Sequence, residues 1–213
     1  MEAFAKFAVV LALGLGVAQG ARVAGKIAPD SRTEIQVDLP GPLHRHNISS
    51  RGEGCCTQTS VHHSATFQNV PALWEFHEWI KSKGIPGGSY PSEMKRRIEL
   101  ICKDRGVPVP EYIQVEGGRE TLEILRAALA TGRFPAVTYS RSPTGRYNGQ
   151  RIAHMVNLAH LDTQYAAILD NNYPGDNAYE WMSVDQFLQT YTGGRSGWAV
   201  ILLDSGPPPF PWN

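Results

Sequence analysis

Three residues with reactive side chains occur in an order that suits nucleophilic catalysis. Cys56 follows the glycine-containing stretch from Arg51 to Gly54 and begins a segment with helical character. His154 lies near the start of an apolar segment typical of a strand, and Asp170 ends the next such segment. A thiol, an imidazole and a carboxylate together suit cysteine-dependent acyl transfer. We therefore predict Cys56 as nucleophile, His154 as base and Asp170 as the residue that orients His154.

The expected position of Cys56 at the start of a helix has chemical consequences. The first turn of a helix carries partial positive charge and N–H groups without helical partners. Both features favour a thiolate over a thiol. The backbone N–H of Cys56 is also placed to donate to the oxyanion of a tetrahedral intermediate.

The two apolar segments that carry His154 and Asp170 are expected to form a β-hairpin. A pairing centred on Asp162 puts His154 opposite Asp170, whereas a register one or two residues later brings Asn171 or Asn172 opposite. Facing side chains on one sheet surface have Cβ atoms about 4.5–5.5 Å apart. Such a distance lets a carboxylate or an amide hold an imidazole in one tautomer. Asp170 is the predicted orienting residue, and Asn171 is the alternative.

The elements expected around these residues change from helical to extended along the chain. Apolar spacing and stop residues predict helices at residues 56–68, 72–83, 92–105 and 120–131. Strands are expected at residues 112–115, 136–139, 152–160, 165–169 and 198–203, with a helix at 184–191 before the last strand. This order is typical of an α+β fold, with an N-terminal helical half packed on a C-terminal antiparallel sheet.

The ends of the chain differ in composition from this central region. Residues 1–20 carry an apolar run and end in Ala-Gln-Gly, which predicts a secretory signal peptide. Residues 21–51 are interpreted as an extended lead-in, residues 52–204 as one domain and residues 205–213 as a proline-rich tail. The expected location is secreted, periplasmic or in the cell envelope, with no membrane span after signal cleavage.

The charge balance excludes some partner classes. Lys plus Arg and Asp plus Glu each number 20, so the formal net charge is zero. This balance argues against a nucleic-acid partner. The glycine pairs lack the Gly-x-x-x-x-Gly-Lys-Ser/Thr form of a phosphate-binding loop. We expect a peptide or protein substrate and no cofactor.

The order of these motifs resembles that of the papain-like cysteine peptidases. The similar branch is the one that cleaves double-glycine leader peptides from bacteriocins, with its exported relatives. The resemblance rests on residues 56–61, 154–158, 168–170, 181–188 and 198–202, and covers about residues 52–203 in order. It implies a papain-like fold and hydrolysis of a peptide or amide bond by Cys56, His154 and Asp170, without a metal or cofactor.

Two details of the site follow from the same resemblance. Taking Cys56 as nucleophile places Ser60 and Val61 at the small and apolar helix positions of the family, which Cys55 does not. The glutamine that usually precedes the cysteine and completes the oxyanion hole is missing from residues 47–54. Asn47 or a nearby serine is the candidate replacement.

Other interpretations give the chain a different role. Three cysteines allow Cys102 to pair with Cys55 and leave one thiol over. The same half of the chain is rich in potential zinc or copper ligands, namely His44, His46, Cys55, Cys56, His62, His63 and His77. A catalytically inactive papain-like binding module is the other alternative.

In either active or inactive form, residues 145–149 are expected to form a mobile loop beside the cleft, because glycines flank them.

Overall fold

The computed structural model describes residues 20–47, 54–175 and 179–204. The helices in these residues are α1 Cys56–Phe67, α2 Phe76–Ser82, α3 Pro91–Arg105, α4 Leu122–Ala130 and α5 Val184–Thr192. The strands are β1 Arg22–Ala24, β2 Tyr112–Gly117, β3 Ala136–Tyr139, β4 His154–Leu161, β5 Tyr165–Leu169, β6 Tyr179–Ser183 and β7 Gly197–Leu202. The predicted α+β class is confirmed.

The seven strands form a single antiparallel sheet. Their order is β1-β6-β5-β4-β3-β7-β2, so β4 lies at the centre between β5 and β3. A central strand is hydrogen-bonded on both sides and its side chains are shielded on both faces. All eight residues of β4 are buried accordingly. His154 therefore begins a strand that is buried along its whole length.

Helices cover both faces of this sheet. Successive side chains of a strand point to opposite faces. Met155 packs with α1, α2 and α3 on one face, whereas Val156 and Leu158 pack with α4 and α5 on the other. The prediction placed a helical half against the sheet, but it did not include the second layer of helices that α4 and α5 form on the other face.

Helix α1 is buried around most of its circumference. Residues Cys56 to Ala65 are all buried, including polar ones such as Gln58 and His63. A helix shielded on every side shows little amphipathic pattern, and its polar groups need partners within the protein. This burial fixes Cys56 at the first turn against β4.

The lead-in is part of the folded domain rather than a tether. Its strand β1 pairs with β6 at the edge of the sheet. Three of its apolar side chains, Ala28, Val37 and Leu39, are almost fully buried in the larger core cluster. Isolated apolar residues among polar ones give no periodic signal, which is why the sequence did not reveal this packing.

The predicted signal peptide spans residues 1–20, of which only Gly20 is described, and the predicted proline-rich tail spans residues 205–213. Both predictions thus fall outside the described residues. In the described part of the chain, no helix has the length and apolar character needed to cross a membrane.

Candidate active site

Cys56 is the first residue of α1, as the sequence predicts. The preceding residue, Cys55, is the N-cap, and its backbone N–H donates to the carbonyl of Asn47 at 2.8 Å. A residue at the first helical position has no helical carbonyl for its own N–H. The thiol of Cys56 and this N–H therefore lie together at the positive end of the helix.

His154 and Asp170 form a close pair beside Cys56. The Nε2 atom of His154 lies 2.8 Å from Oδ1 of Asp170, and both side chains are buried. A hydrogen bond also joins His154 to the Cys56 thiol. Because Nε2 faces the carboxylate, Nδ1 is the ring nitrogen available to the thiol. The structure thus brings together the thiol, imidazole and carboxylate named from the sequence.

The hairpin register centred on Asp162 is wrong, and the alternative register two residues later is the one observed towards His154. Asn157 pairs with Leu169 and Leu158 with Ile168, and the register then shifts at a bulge before His160. Continuing the observed pairing puts Asn172, not Asp170, opposite His154. Asp170 reaches the imidazole because β5 ends before it and the chain turns, with the N–H of Tyr173 donating to the carbonyl of Asp170 at 2.9 Å.

The charges in this trio stabilise one another. Burial lowers the pKa of His154, but hydrogen bonds to Asp170 and Cys56 outweigh burial and raise it to about 9. Burial raises the pKa of Cys56, yet the bond to His154 and its charge leave that pKa below the ordinary value. Burial likewise acts against the Asp170 carboxylate, and His154 and Tyr147 hold its pKa low. These directions favour a thiolate–imidazolium pair.

The other two cysteines have the opposite character. Burial raises the pKa of both Cys55 and Cys102. All three cysteines are unpaired, so the disulfide considered between Cys55 and Cys102 is absent from the structure. Cys56 differs from its immediate neighbour because only Cys56 contacts the imidazole.

Asn171, the alternative orienting residue, has a different set of partners. Its Nδ2 lies 2.9 Å from both Ser60 Oγ and the carbonyl of Met155, and 3.3 Å from the carbonyl of Cys56. The amide therefore ties the first turn of α1 to β4. Asn171 positions the cysteine-bearing turn, while Asp170 faces His154.

Asn47, the candidate oxyanion residue, lines the same cleft as Cys56 and His154. Its Nδ2 donates to Oδ1 of Asn171 and, at 2.7 Å, to Oδ1 of Asn172. An amide nitrogen has two hydrogens, so both are engaged in this conformation. Asn47 would have to release one of them to serve an oxyanion.

Several residues behind Asp170 have no motif in the sequence. Tyr147, in the glycine-flanked loop beside the cleft, donates its hydroxyl to Asp170 Oδ2 at 2.6 Å. The guanidinium of Arg146 lies 3.7 Å from Asp170 and 3.9 Å from Glu180, a second carboxylate that is completely buried. Glu180 accepts further bonds from Tyr139, Ser142 and Thr144. Sequence inspection misses these contacts because the residues are far from Asp170 along the chain.

A group of potential metal ligands comes from α1 and the start of α2. Among the described residues, His62, Glu75 and His77 bring ligand atoms within 4.8 Å of one another. Nδ1 of His62 accepts the backbone N–H of Glu75 at 2.9 Å, so the neutral ring carries its proton on Nε2. Nε2 is the atom that faces Glu75, at 3.7 Å. A ring nitrogen that bears a proton does not bind a metal, which argues against an ion here.

The cleft extends to both sides of the thiol–imidazole pair. One part, of about 510 Å³, is lined by Asn47, Gly54, Tyr147 and Asn172 beside Cys56 and His154. The other, of about 520 Å³, runs along Thr57, Gly88, Tyr90, Arg151 and Trp198. The pair lies where the two parts meet, so an extended chain could place one bond at the thiol.

A scan against protein-family models and a search of curated proteins found no match to this chain.

Proposed function

We propose that this chain is a thiol-dependent hydrolase that cleaves a peptide or amide bond. The observation that carries the proposal is the buried His154 imidazole, which contacts the Cys56 thiol on one side and the Asp170 carboxylate at 2.8 Å on the other. The resemblance of the sequence to papain-like peptidases supports the same assignment. The proposal includes export and a peptide or protein substrate.

The first half of the proposed reaction forms an acyl-enzyme. The Cys56 thiolate attacks the carbonyl carbon, and the carbon–oxygen double bond opens to an oxyanion near the N–H of Cys56. The carbon–nitrogen bond then breaks, and the His154 imidazolium gives its proton to the departing amine. The product on the enzyme is a thioester.

The second half releases the acyl group. His154, now neutral, takes a proton from a water molecule that attacks the thioester carbonyl. The carbon–sulfur bond breaks, the carboxylic acid leaves, and the thiolate–imidazolium pair is restored. Asp170 keeps the ring oriented and stabilises its positive charge throughout.

Alkylation of the reduced protein by iodoacetamide across pH 4–10 tests the nucleophile. We expect Cys56 to react well below the ordinary cysteine pKa of about 8.5. Cys56→Ala should abolish this reaction and His154→Ala should move it to the ordinary range. Cys55→Ala is the matched control and should leave it unchanged. Labelling that rises only near pH 8.5 and ignores His154 would instead favour the inactive binding module.

A pool of internally quenched peptides tests the reaction itself. The wild-type protein should cleave at least one sequence, and Cys56→Ala should cleave none while retaining its fold by circular dichroism. Reactive labelling of Cys56 without hydrolysis of any peptide or small amide would contradict the proposed activity.

A further inference from the structure

The part of the cleft beyond His154 ends at a wall that carries three arginines. Arg151 and Arg195 line the part that contains Cys56, and Arg141 and Arg151 line an adjoining hollow of about 460 Å³. Arg151 lines both hollows, so they adjoin, and we refer to them together as the groove. Arg151 lies three residues before His154 in the chain. The wall is therefore close to the proposed reaction centre.

These positive charges are not neutralised within the described part of the chain. The one carboxylate that lines this side of the cleft, Glu93, is bound by Arg97 at 2.6 Å. Neither Arg141, Arg151 nor Arg195 forms an ion pair with a described acidic residue. Because the whole chain has equal numbers of acidic and basic residues, the excess is a local property of this groove.

The central arginine, Arg151, is exposed but its guanidinium is anchored at the edge of the groove. Its Nη2 donates to the carbonyl of Gly193 at 2.5 Å. Gly193 caps α5 with φ of 56° and approaches Ser140, so an added Cβ would lie 3.0 Å from the Cβ of Ser140. This bond uses one of the five N–H donors of the Arg151 guanidinium, so further donors are left for a ligand.

Among the described residues, the lining of the opposite arm of the cleft includes no arginine or lysine. Apart from Cys56 and His154, its described lining consists of amide, aromatic, aliphatic and small side chains, among them Asn47, Asn172 and Tyr147. A substrate that spans the thiol therefore meets neutral hydrogen-bonding groups on one side and guanidinium groups on the other. This difference in charge makes the two arms of the cleft unequal for a bound substrate.

We propose that the arginine wall selects substrates that carry a carboxylate on its side of the scissile bond. This inference rests on the proposed function, because it assigns the substrate class of the same site. Guanidinium–carboxylate contacts are charge-assisted and often bidentate. A cleft lined by one sign of charge also raises the arrival rate of oppositely charged ligands. The preferred ligand is an acidic peptide.

Two alkylating reagents of nearly equal size measure this preference directly. Iodoacetate is an anion and iodoacetamide is neutral, and each forms a carbon–sulfur bond with Cys56 while iodide leaves. We expect the iodoacetate-to-iodoacetamide rate ratio to fall about tenfold in an Arg151→Gln/Arg195→Gln variant at low ionic strength. Arg32→Gln, an exposed arginine of the lead-in, is the control and should preserve the ratio.

Salt provides an internal check on this ratio. At 0.5 M sodium chloride, screening should bring the wild-type ratio close to that of the double variant. An equal ratio in the wild-type protein and the double variant at low salt would overturn the inference. The ratio compares two reagents at one thiol, so it can be measured even if Cys56 reacts only at high pH. Failure of the proposed function and failure of the arginine wall are thereby distinguished.

The source of the carboxylate is tested by protection of Cys56 from iodoacetamide. One peptide is an alternating alanine–glutamate hexapeptide blocked at both ends, and a second is an acetylated hexa-alanine with a free carboxyl terminus. The reference is acetylated hexa-alanine amide. Stronger protection by the first indicates acidic side chains, and stronger protection by the second indicates a chain terminus. The proposal would be contradicted if neither peptide protected Cys56 better than the reference peptide does.

Discussion

Replacement of Asp170 by asparagine tests how the carboxylate controls the thiol. The change keeps the size of the side chain and an oxygen that can accept from Nε2 of His154, which lies 2.8 Å away. It removes the negative charge. The ring should therefore keep its orientation but lose much of the stabilisation of its protonated form.

The magnitude follows from the pKa of His154. Its value of about 9 lies about 2.5 pH units above the ordinary histidine value of about 6.5, which corresponds to about 3 kcal/mol. Cys56 supplies part of this stabilisation, so we assign about half to Asp170. Asp170→Asn should then lower the pKa of His154 by about one unit, to about 8, and reduce the imidazolium form about fivefold at pH 9.

The assay is the rate of iodoacetamide labelling from pH 4 to pH 10, read by intact mass. The wild-type protein should show a plateau between the low pKa of Cys56 and a pH of about 9, where His154 loses its proton. Asp170→Asn should move the upper limit of this plateau down by about one pH unit, to about pH 8, and leave the labelling above pH 10 unchanged. The reasoning is refuted if the variant, shown by circular dichroism to be folded, keeps the wild-type plateau.

Three further substitutions probe the supports of the site. Tyr147→Phe removes the hydroxyl that donates to Asp170 and should lower the free energy of unfolding by about 1–2 kcal/mol, measured by urea denaturation at pH 7. This loss should shrink as the pH falls through the low pKa of the Asp170 carboxyl, and a loss that does not change with pH would contradict the role of the hydroxyl. Glu180→Gln removes the buried charge that faces Arg146 and should lower the free energy of unfolding by about 3 kcal/mol, whereas a loss under about 0.5 kcal/mol would contradict the network. Asn171→Ala should cost about 2 kcal/mol and slow labelling of the thiol without moving its pH profile, and a moved profile would mean that Asn171 acts on the imidazole.

The sequence was informative about local structure. The helix over residues 92–105 was predicted from apolar spacing and from the glycine that follows, and α3 Pro91–Arg105 agrees to one residue. The same holds for β3 and β5, which match their predicted bounds. Local periodicity and stop residues determine such elements because they depend on neighbours a few positions away. The short strands β1 and β6 lacked such a signal and were missed.

The three residues of the proposed trio were also named from the sequence, because Cys56, His154 and Asp170 each lie at or next to the end of a recognisable element, in an order that resembles papain-like peptidases. Only the tertiary structure decided how they meet. The observed hairpin register differs by two residues from the one centred on Asp162, and Asp170 reaches the imidazole because the chain turns after β5. The network behind the carboxylate, with Glu180 and Arg146, came from segments far apart in the chain. Periodicity records which face of an element is buried, but the partner of a buried charge is set by packing between elements, which no local pattern contains.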